Sequence, residues 1–306
     1  MDNLDLYLAP LAEITSKEFR TLCYEGGADI CYSEMISAKA ITLKNKKTFS
    51  LTELEKGEEK TFLQFFGHEP EVMKEAVETV LSRVAPFGID INAGCPVRKV
   101  ISNKAGSALM ANPQNLGAIV KAVRSVTNLP LSVKIRKGFK TPNYLECAKI
   151  VEDNGADLIV VHPRLQPEMF SGTCDHNVSI ELSEIMKIPV IHSGDIRRFE
   201  DLKRFNDSNV KGVMVGRGAI GAPWIFNEIK GKTVDVEEKK SVMTKHFRFY
   251  VAMGENKFAH TMIRRHGSWY SAGMGGSSEF RNKIFSKSTS IDEVLEMIRV
   301  FFGIDL

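Results

Sequence analysis

Apolar runs of strand length punctuate the first three quarters of the chain, at Leu6–Pro10, Ile30–Met35, Thr61–Phe66, Gly88–Gly94, Leu131–Arg136, Asp157–Pro163, Pro189–Ser193 and Gly212–Gly216. Between several of them the period changes to that of a helix. Val72, Met73, Ala76, Val77, Val80, Leu81 and Val84 form one stripe, and Ile119, Val120, Val123 and Val126 part of another. Near-continuous apolar character suits strands buried on both faces, so eight runs with helical crossovers predict a parallel (β/α)8 TIM barrel. A doubly wound open sheet fits less well, because no G-x-G-x-x-G follows the first run. After Gly231-Lys232-Thr233 the strand pattern stops and helical spacing takes over. Ala259, Met262, Ile263 and His266 keep it, as do Ile291, Val294, Leu295 and Ile298, with Gly273–Ser278 expected as a loop between helices. The expected division is a barrel over residues 1–232 and a small helical domain over 235–306.

The chain has 306 residues, a net charge of +3 and 43% hydrophobic residues, enough for a large core and a smaller second unit. Cys23, Cys31, Cys95, Cys147 and Cys174 form no C-x-x-C pair, which argues against a disulfide framework and against zinc, so no metal is expected. No stretch approaches the roughly 20 apolar residues that span a bilayer, so no membrane role and a cytoplasmic location are expected. Charge is uneven. Ile91–Leu145 has no Asp or Glu but carries Arg98, Lys99, Lys104, Lys121, Arg124, Lys134, Arg136, Lys137 and Lys140. From Lys245 to Lys287, eight Lys and Arg residues, Arg264 and Arg265 among them, face only Glu255 and Glu279. Each segment reads either as a polyanion-binding surface or as a solvated face.

In a barrel, chemistry gathers at the carboxyl ends of the strands. Those ends here are Pro10-Leu11-Ala12, Gln64, Asn92 with Cys95, Lys134 with Arg136, His162 with Arg164, Ser193-Gly194-Asp195, and Gly216-Arg217-Gly218. Cys95 sits between Gly94 and Pro96, on a stiff corner after an apolar strand. A free cysteine is as often a small hydrophobe, so the thiol alone decides nothing. Lys134 is harder to explain as packing, because charge in a buried strand needs a partner or an anion. The last two corners place glycines and an arginine where barrels bind phosphate through backbone N–H groups. With Lys134 to stabilise a reduced, anionic ring, that combination describes flavin mononucleotide (FMN).

Taken together, Leu8–Ala12 with Phe19-Arg20, Ser33-Glu34-Met35, Gln64–Gly67, Asn92–Pro96 with Lys99-Val100, Gly106–Met110, Val133–Arg136, His162-Pro163-Arg164, Gly194–Ile196 and Gly216–Gly218 resemble the tRNA-dihydrouridine synthases. The match spans the barrel in order. It continues more weakly at Arg264–Tyr270, which resembles that family's helical tRNA-binding domain. The resemblance implies that Pro10 to Ala12, Gln64, Lys134, His162, Ser193 to Asp195, Gly216 and Arg217 hold FMN. It further implies that NADPH is the electron donor and that tRNA uridine is reduced, with hydride from FMN reaching C6 and a proton from Cys95 reaching C5. Asn92, Arg98, Lys99, Arg136, Arg164, Arg264 and Arg265 are the candidate tRNA contacts; no obligate protein partner is indicated. This chain has Leu11 where the family commonly has Met, and Ser193 where it has Asn, so a side-chain role for Ser193 is open. Trp269, Tyr270 and His266 fit core better than RNA stacking. An FMN enzyme acting on a free small pyrimidine such as dihydroorotate is the alternative, and it leaves the basic C-terminal region without a use.

Overall fold

The structure is a computed structural model that describes residues 4–254, 256–286 and 288–306. Glu255 and Lys287 of the second basic segment therefore lie outside the described residues. Eight parallel strands close into a ring: β1 Asp5–Leu8, β2 Ile30–Tyr32, β3 Thr61–Phe66, β4 Gly88–Ala93, β5 Leu131–Gly138, β6 Leu158–Leu165, β7 Val190–Ser193 and β8 Gly212–Val215. The ring is sealed by Tyr7 opposite Met214 between β1 and β8, and by Cys31 opposite Thr61 between β2 and β3.

Period-two alternation decides which residues do chemistry and which pack. Leu63, Phe65, Ile89, Ile91, Ala93, Val133, Ile135, Ile159 and Val161 point outward into the layer between strands and helices. Helix Pro70–Leu81 buries Met73, Ala76, Val77 and Val80 of its stripe there, and helix Pro113–Arg124 buries Ile119, Val120 and Val123. Both helices start on proline, whose missing N–H is no loss in a first turn. Each fully buried aliphatic side chain contributes about 1.5–3 kcal/mol, which makes this wall the main stabilising element. The alternate residues Tyr7, Tyr32, Phe62, Val160, Ile191 and Met214 point inward and plug the bottom of the barrel. The next inward layers up are Gln64, Asp90, Asn92, Ser132, Lys134, Arg136, His162 and Ser193, so polarity rises towards the mouth.

The expected run Ile30–Met35 ends early as a strand. Ser33 takes the backbone N–H of Gln64 on its hydroxyl at 3.0 Å, replacing a ladder bond, and only Ile36–Ser37 resume pairing, with Phe65–Phe66. In the other direction β5 and β6 run past the expected ends to Gly138 and Leu165, lifting Arg136 and Arg164 inside the sheet.

Beyond residue 232 four helices, Val236–Val251, Lys257–Tyr270, Ser277–Ile284 and Ile291–Phe302, form their own core. Asp235 and Glu238 cap the first reciprocally, at 2.8 and 2.9 Å, which fixes where it starts. His266 and Tyr270 are buried in the seam, with Phe19 of the barrel 6.2 Å from the His266 ring, so they are core as expected. Trp269 is half-buried beneath the Arg265 guanidinium, 5.1 Å away. Among the described residues no helix is long and apolar enough to cross a membrane.

Candidate active site

A cavity opens at the carboxyl end of the barrel, with about 1050 Å³ of empty space when the open solvent at its mouth is counted. Its floor and walls combine Pro10, Leu11, Ala12, Asn92, Cys95, Lys134, Arg136, His162, Ser193, Gly194, Asp195, Gly216 and Arg217. These come from six separate stretches of sequence and meet because the strands end at the same rim.

Cys95 is held rather than merely placed. Asn92 Oδ1 accepts from the N–H of Cys95 at 2.9 Å and of Gly94 at 3.2 Å, and the Cys95 carbonyl accepts from the N–H and the hydroxyl of Ser107 at 3.0 and 2.9 Å. Gly106 makes that second clamp possible, because a Cβ there would stand 2.8 Å from the Cys95 carbonyl oxygen and its φ is +62°. Burial raises the thiol pKa, with Arg136 and Lys134 opposing the rise, so the sulfhydryl stays protonated at neutral pH.

Beneath Asn92 runs a buried chain of polar groups that the sequence reading missed. Asn92 Nδ2 donates to Gln64 Oε1 at 2.7 Å, and Gln64 Nε2 donates to Asp90 Oδ2 at 2.6 Å. The Asp90 carboxylate also accepts from Ser132, whose hydroxyl is met by the Tyr32 phenol at 3.0 Å. Burial pushes the Asp90 carboxyl up to about 7. An acid flanked by isoleucines in Gly88-Ile-Asp-Ile was the available signal. Gln64 has no exposed surface and does not line the cavity. Its amide supports Asn92 from below.

The wall beside Cys95, on the neighbouring strand, is cationic. Burial brings the Lys134 ammonium down to about 8, with Arg136 adding to the drop, and its Nζ lies 3.4 Å from Ser193 Oγ. Burial and the three neighbouring cations hold His162 far below the usual imidazole range, so it is neutral. Arg164 Nη1 lies 3.0 Å from His162 Nε2; a guanidinium can only donate, so Nε2 accepts and the ring proton sits on Nδ1. Arg136 donates to the carbonyls of Gly94 and Leu165 at 2.8 and 3.1 Å.

Arg164 does not face the cavity. It is 1% exposed and donates to Asp195 at 2.6 Å and to the carbonyls of Ser171 and Gly172 at 2.9 and 2.6 Å. Its expected contact with a polyanion is thus replaced by a bracing role, since every nitrogen is committed. Arg217 reaches the same carboxylate, Asp195 Oδ1, at 3.3 Å. Phe170, unnoticed in the sequence, lines the cavity, with Arg136 and Arg217 5.4 and 5.3 Å from its ring.

Arg98 and Lys99 are exposed on a single helical turn right after Cys95. Arg264 and Arg265 lie on the helical unit, outside the cavity. Arg264 donates to the carbonyls of Ile284, Thr289 and His260 at 2.9, 2.9 and 3.3 Å, and Arg265 pairs with Glu13 at 2.7 Å. Each nitrogen of Arg264 is thus engaged by a main-chain carbonyl of the helical unit.

The fit of a phosphate-bearing ring cofactor can be tested at Gly216. A Cβ there would meet only Ala9 and Leu11, at 3.5 and 3.9 Å, which are ordinary contacts. Protein packing does not demand glycine; a side chain would instead fill the cavity rim, as expected where a ligand approaches the backbone. Neutral His162, the cationic Lys134 and the Arg217 corner complete a site that suits FMN.

A (β/α)8 barrel whose mouth joins a protonated thiol to a cationic, glycine-edged cradle defines a ligand-binding barrel enzyme. The profile of the family described as Dihydrouridine synthase (Dus) matches residues 7–301, and the chain belongs to that family. A probable tRNA-dihydrouridine synthase of Rickettsia conorii is 33% identical over 292 residues, covering 92% of this chain and 88% of the relative. A tRNA-dihydrouridine synthase B of Shewanella oneidensis is 34% identical over 277 residues, covering 87% and 85%. The old yellow enzyme from Trypanosoma cruzi superposes with a TM-score of 0.55 at 11% identity, covering 78% of this chain and 92% of that one. Morphinone reductase does so at 0.53 and 12% identity, covering 75% and 87%; these two share the fold.

Proposed function

We propose that this protein reduces uridines in tRNA to 5,6-dihydrouridine, using bound FMN, NADPH as the electron donor and Cys95 as the proton donor. The observation that carries the reading is the placement of a protonated, clamped thiol in the same cavity as the cationic cradle. FMN, when bound, supplies the hydride to C6 of the base. Pro10 to Ala12, Lys134, His162, Ser193 to Asp195, Gly216 and Arg217 hold the cofactor. Lys134 sets positive charge where a reduced ring gathers electron density. Cys95 delivers its proton from Sγ to C5; burial keeps that proton on sulfur until the base arrives, and the Asn92 and Ser107 clamps keep the sulfur in line. General-acid catalysis of this kind contributes roughly 10² to 10⁴ in rate.

A uridine inside folded tRNA must be swung out to reach the cavity, at a cost of a few kcal/mol in unstacking. Arg98 and Lys99 beside Cys95, with Arg136 inside the mouth, offset this by contacts to the extruded nucleotide and its phosphates, and the helical unit from 235 to 306 extends the RNA surface. Mapping dihydrouridine in tRNA from cells with and without this protein tests the reading. Loss of the modified base at defined positions, restored by the intact chain but not by Cys95→Ala, is expected; an unchanged tRNA map, or a purified protein that takes up no flavin, overturns it.

A further inference from the structure

His192 is a polar residue at an outward-pointing position of the barrel wall. Its register partners are Val161 on β6 and Val213 on β8, both outward and apolar. His192 therefore points away from the cavity, into the layer beneath helix Asn177–Ile185, where it is fully buried. Two more donors are brought to it. His176 Nδ1 lies 3.2 Å from His192 Nε2, and Cys174 Sγ lies 3.6 Å from both His176 Nδ1 and His176 Nε2. All three ligand atoms fall within 4.8 Å of one another. Nothing in the proposed uridine chemistry uses them.

Zn–S and Zn–N bonds of about 2.3 and 2.0–2.1 Å in a tetrahedron set the ligand atoms about 3.6 Å apart for sulfur to nitrogen and about 3.3 Å for nitrogen to nitrogen. The Cys174–His176 and His176–His192 separations match both edges. The outer partner of a metal-bound imidazole is also present, since Ser179 Oγ lies 2.7 Å from His192 Nδ1. In the structure His192 Nε2 lies 2.8 Å from the Gly194 carbonyl, which can only accept, so the ring proton sits on Nε2 and Nδ1 accepts from Ser179; ligation by Nε2 moves that proton to Nδ1, where the Ser179 hydroxyl turns to accept it. We propose that Cys174, His176 and His192 form a zinc-binding site on the outer wall of the barrel, separate from the cavity. On binding, the Cys174 thiol proton is released to solvent and a Zn–S bond forms, the hydrogen bond between His192 Nε2 and the Gly194 carbonyl is given up, and the fourth position falls to water.

The site would brace the cofactor corner from behind. Cys174 donates its backbone N–H to Asp195 at 2.9 Å. Gly194, at φ +148°, is wedged so that a Cβ would stand 3.0 Å from Cys174 Sγ and 3.1 Å from His162. Cys174-x-His176, with His192 sixteen residues on, has no C-x-x-C spacing, which is why the sequence pointed to no metal.

The test uses the purified full chain, stripped with a chelator, reloaded with zinc chloride and desalted, beside Cys174→Ser and the half-exposed His176→Gln. Elemental analysis should find one zinc per wild-type chain and more than about tenfold weaker retention in each variant. Cobalt loading, read as a difference spectrum against the zinc form so that flavin absorbance cancels, should give a sulfur-to-cobalt charge-transfer band that Cys174→Ser abolishes. Zinc should raise the melting temperature of the wild type alone. Equal metal content in all three proteins, or a cobalt spectrum without the sulfur band, overturns the proposal whatever the enzyme's activity.

Discussion

In the acid-poor segment 91–145, Lys134 and Arg136 stand on one strand and face the cavity, and Arg98 and Lys99 are exposed beside its thiol. In the second basic segment, Arg264 donates to three main-chain carbonyls and Arg265 reaches Glu13 across the seam. Both segments carry an excess of cations, but within each only some remain available: Arg136 donates to the carbonyls of Gly94 and Leu165, and Arg124 to those of Thr127, Leu129 and Gly155, as Arg264 does in the second segment. Alternate positions on a barrel strand must point inward, where nothing but a ligand or a network can meet them. Arg264, on helix Lys257–Tyr270, instead meets the carbonyl of Ile284, which ends the neighbouring helix. A charge count therefore locates a field without saying which members remain available to a partner.

The histidines extend the contrast. His162 and His192 in the barrel have polar partners, whereas His246 Nε2 and His266 Nδ1 in the seam are buried without one. Burial brings His246 down to about 3. The folded state holds it neutral while the unfolded chain binds a proton below about pH 6.5, so its contribution is lost as pH falls through that value towards 3.

Five variants would break or sharpen the comparison. Cys95→Ala should retain bound flavin but lose roughly 10²-fold or more in single-turnover uridine reduction; a rate within a few fold of wild type would remove the thiol from the mechanism. His246→Phe should gain relative to wild type as pH is lowered, by about 2 kcal/mol at about pH 5, and show no such gain at neutral pH. Denaturant unfolding at both pH values measures this, and a pH-independent difference would show that His246 is not held neutral. Arg264→Ala should lower stability by about 1–2 kcal/mol in the same assay while leaving the salt slope of tRNA binding unchanged. Replacing Arg98 and Lys99 together should instead flatten that slope by about one to two units with stability intact; the reverse pattern would invert the assignment of the two segments. Ser193→Ala removes one long contact to Lys134 and should weaken flavin binding by less than about fivefold, read by flavin fluorescence titration. A larger loss would give the Ser193 side chain the role left open by its departure from the family's Asn.

The barrel was readable because each buried strand is an unbroken apolar run and each helix carries a 3.6-residue stripe; these are local consequences of burial. The strand ends followed from the same runs, so Cys95, Lys134, His162, Gly194 and Gly216 could be singled out before their meeting was known. The Asp90–Gln64–Asn92 chain, the bracing of Asp195 by Arg164, and Phe170 at the rim needed residues from different strands set side by side. The grouping of Cys174, His176 and His192 needed the outward turn of a single β7 position under a helix. Hydrogen-bond partners act over about 3 Å, a distance that only the closed ring creates between positions tens of residues apart. Period and composition thus determined which residues are buried and where the chain turns, while ring closure decided which of them touch.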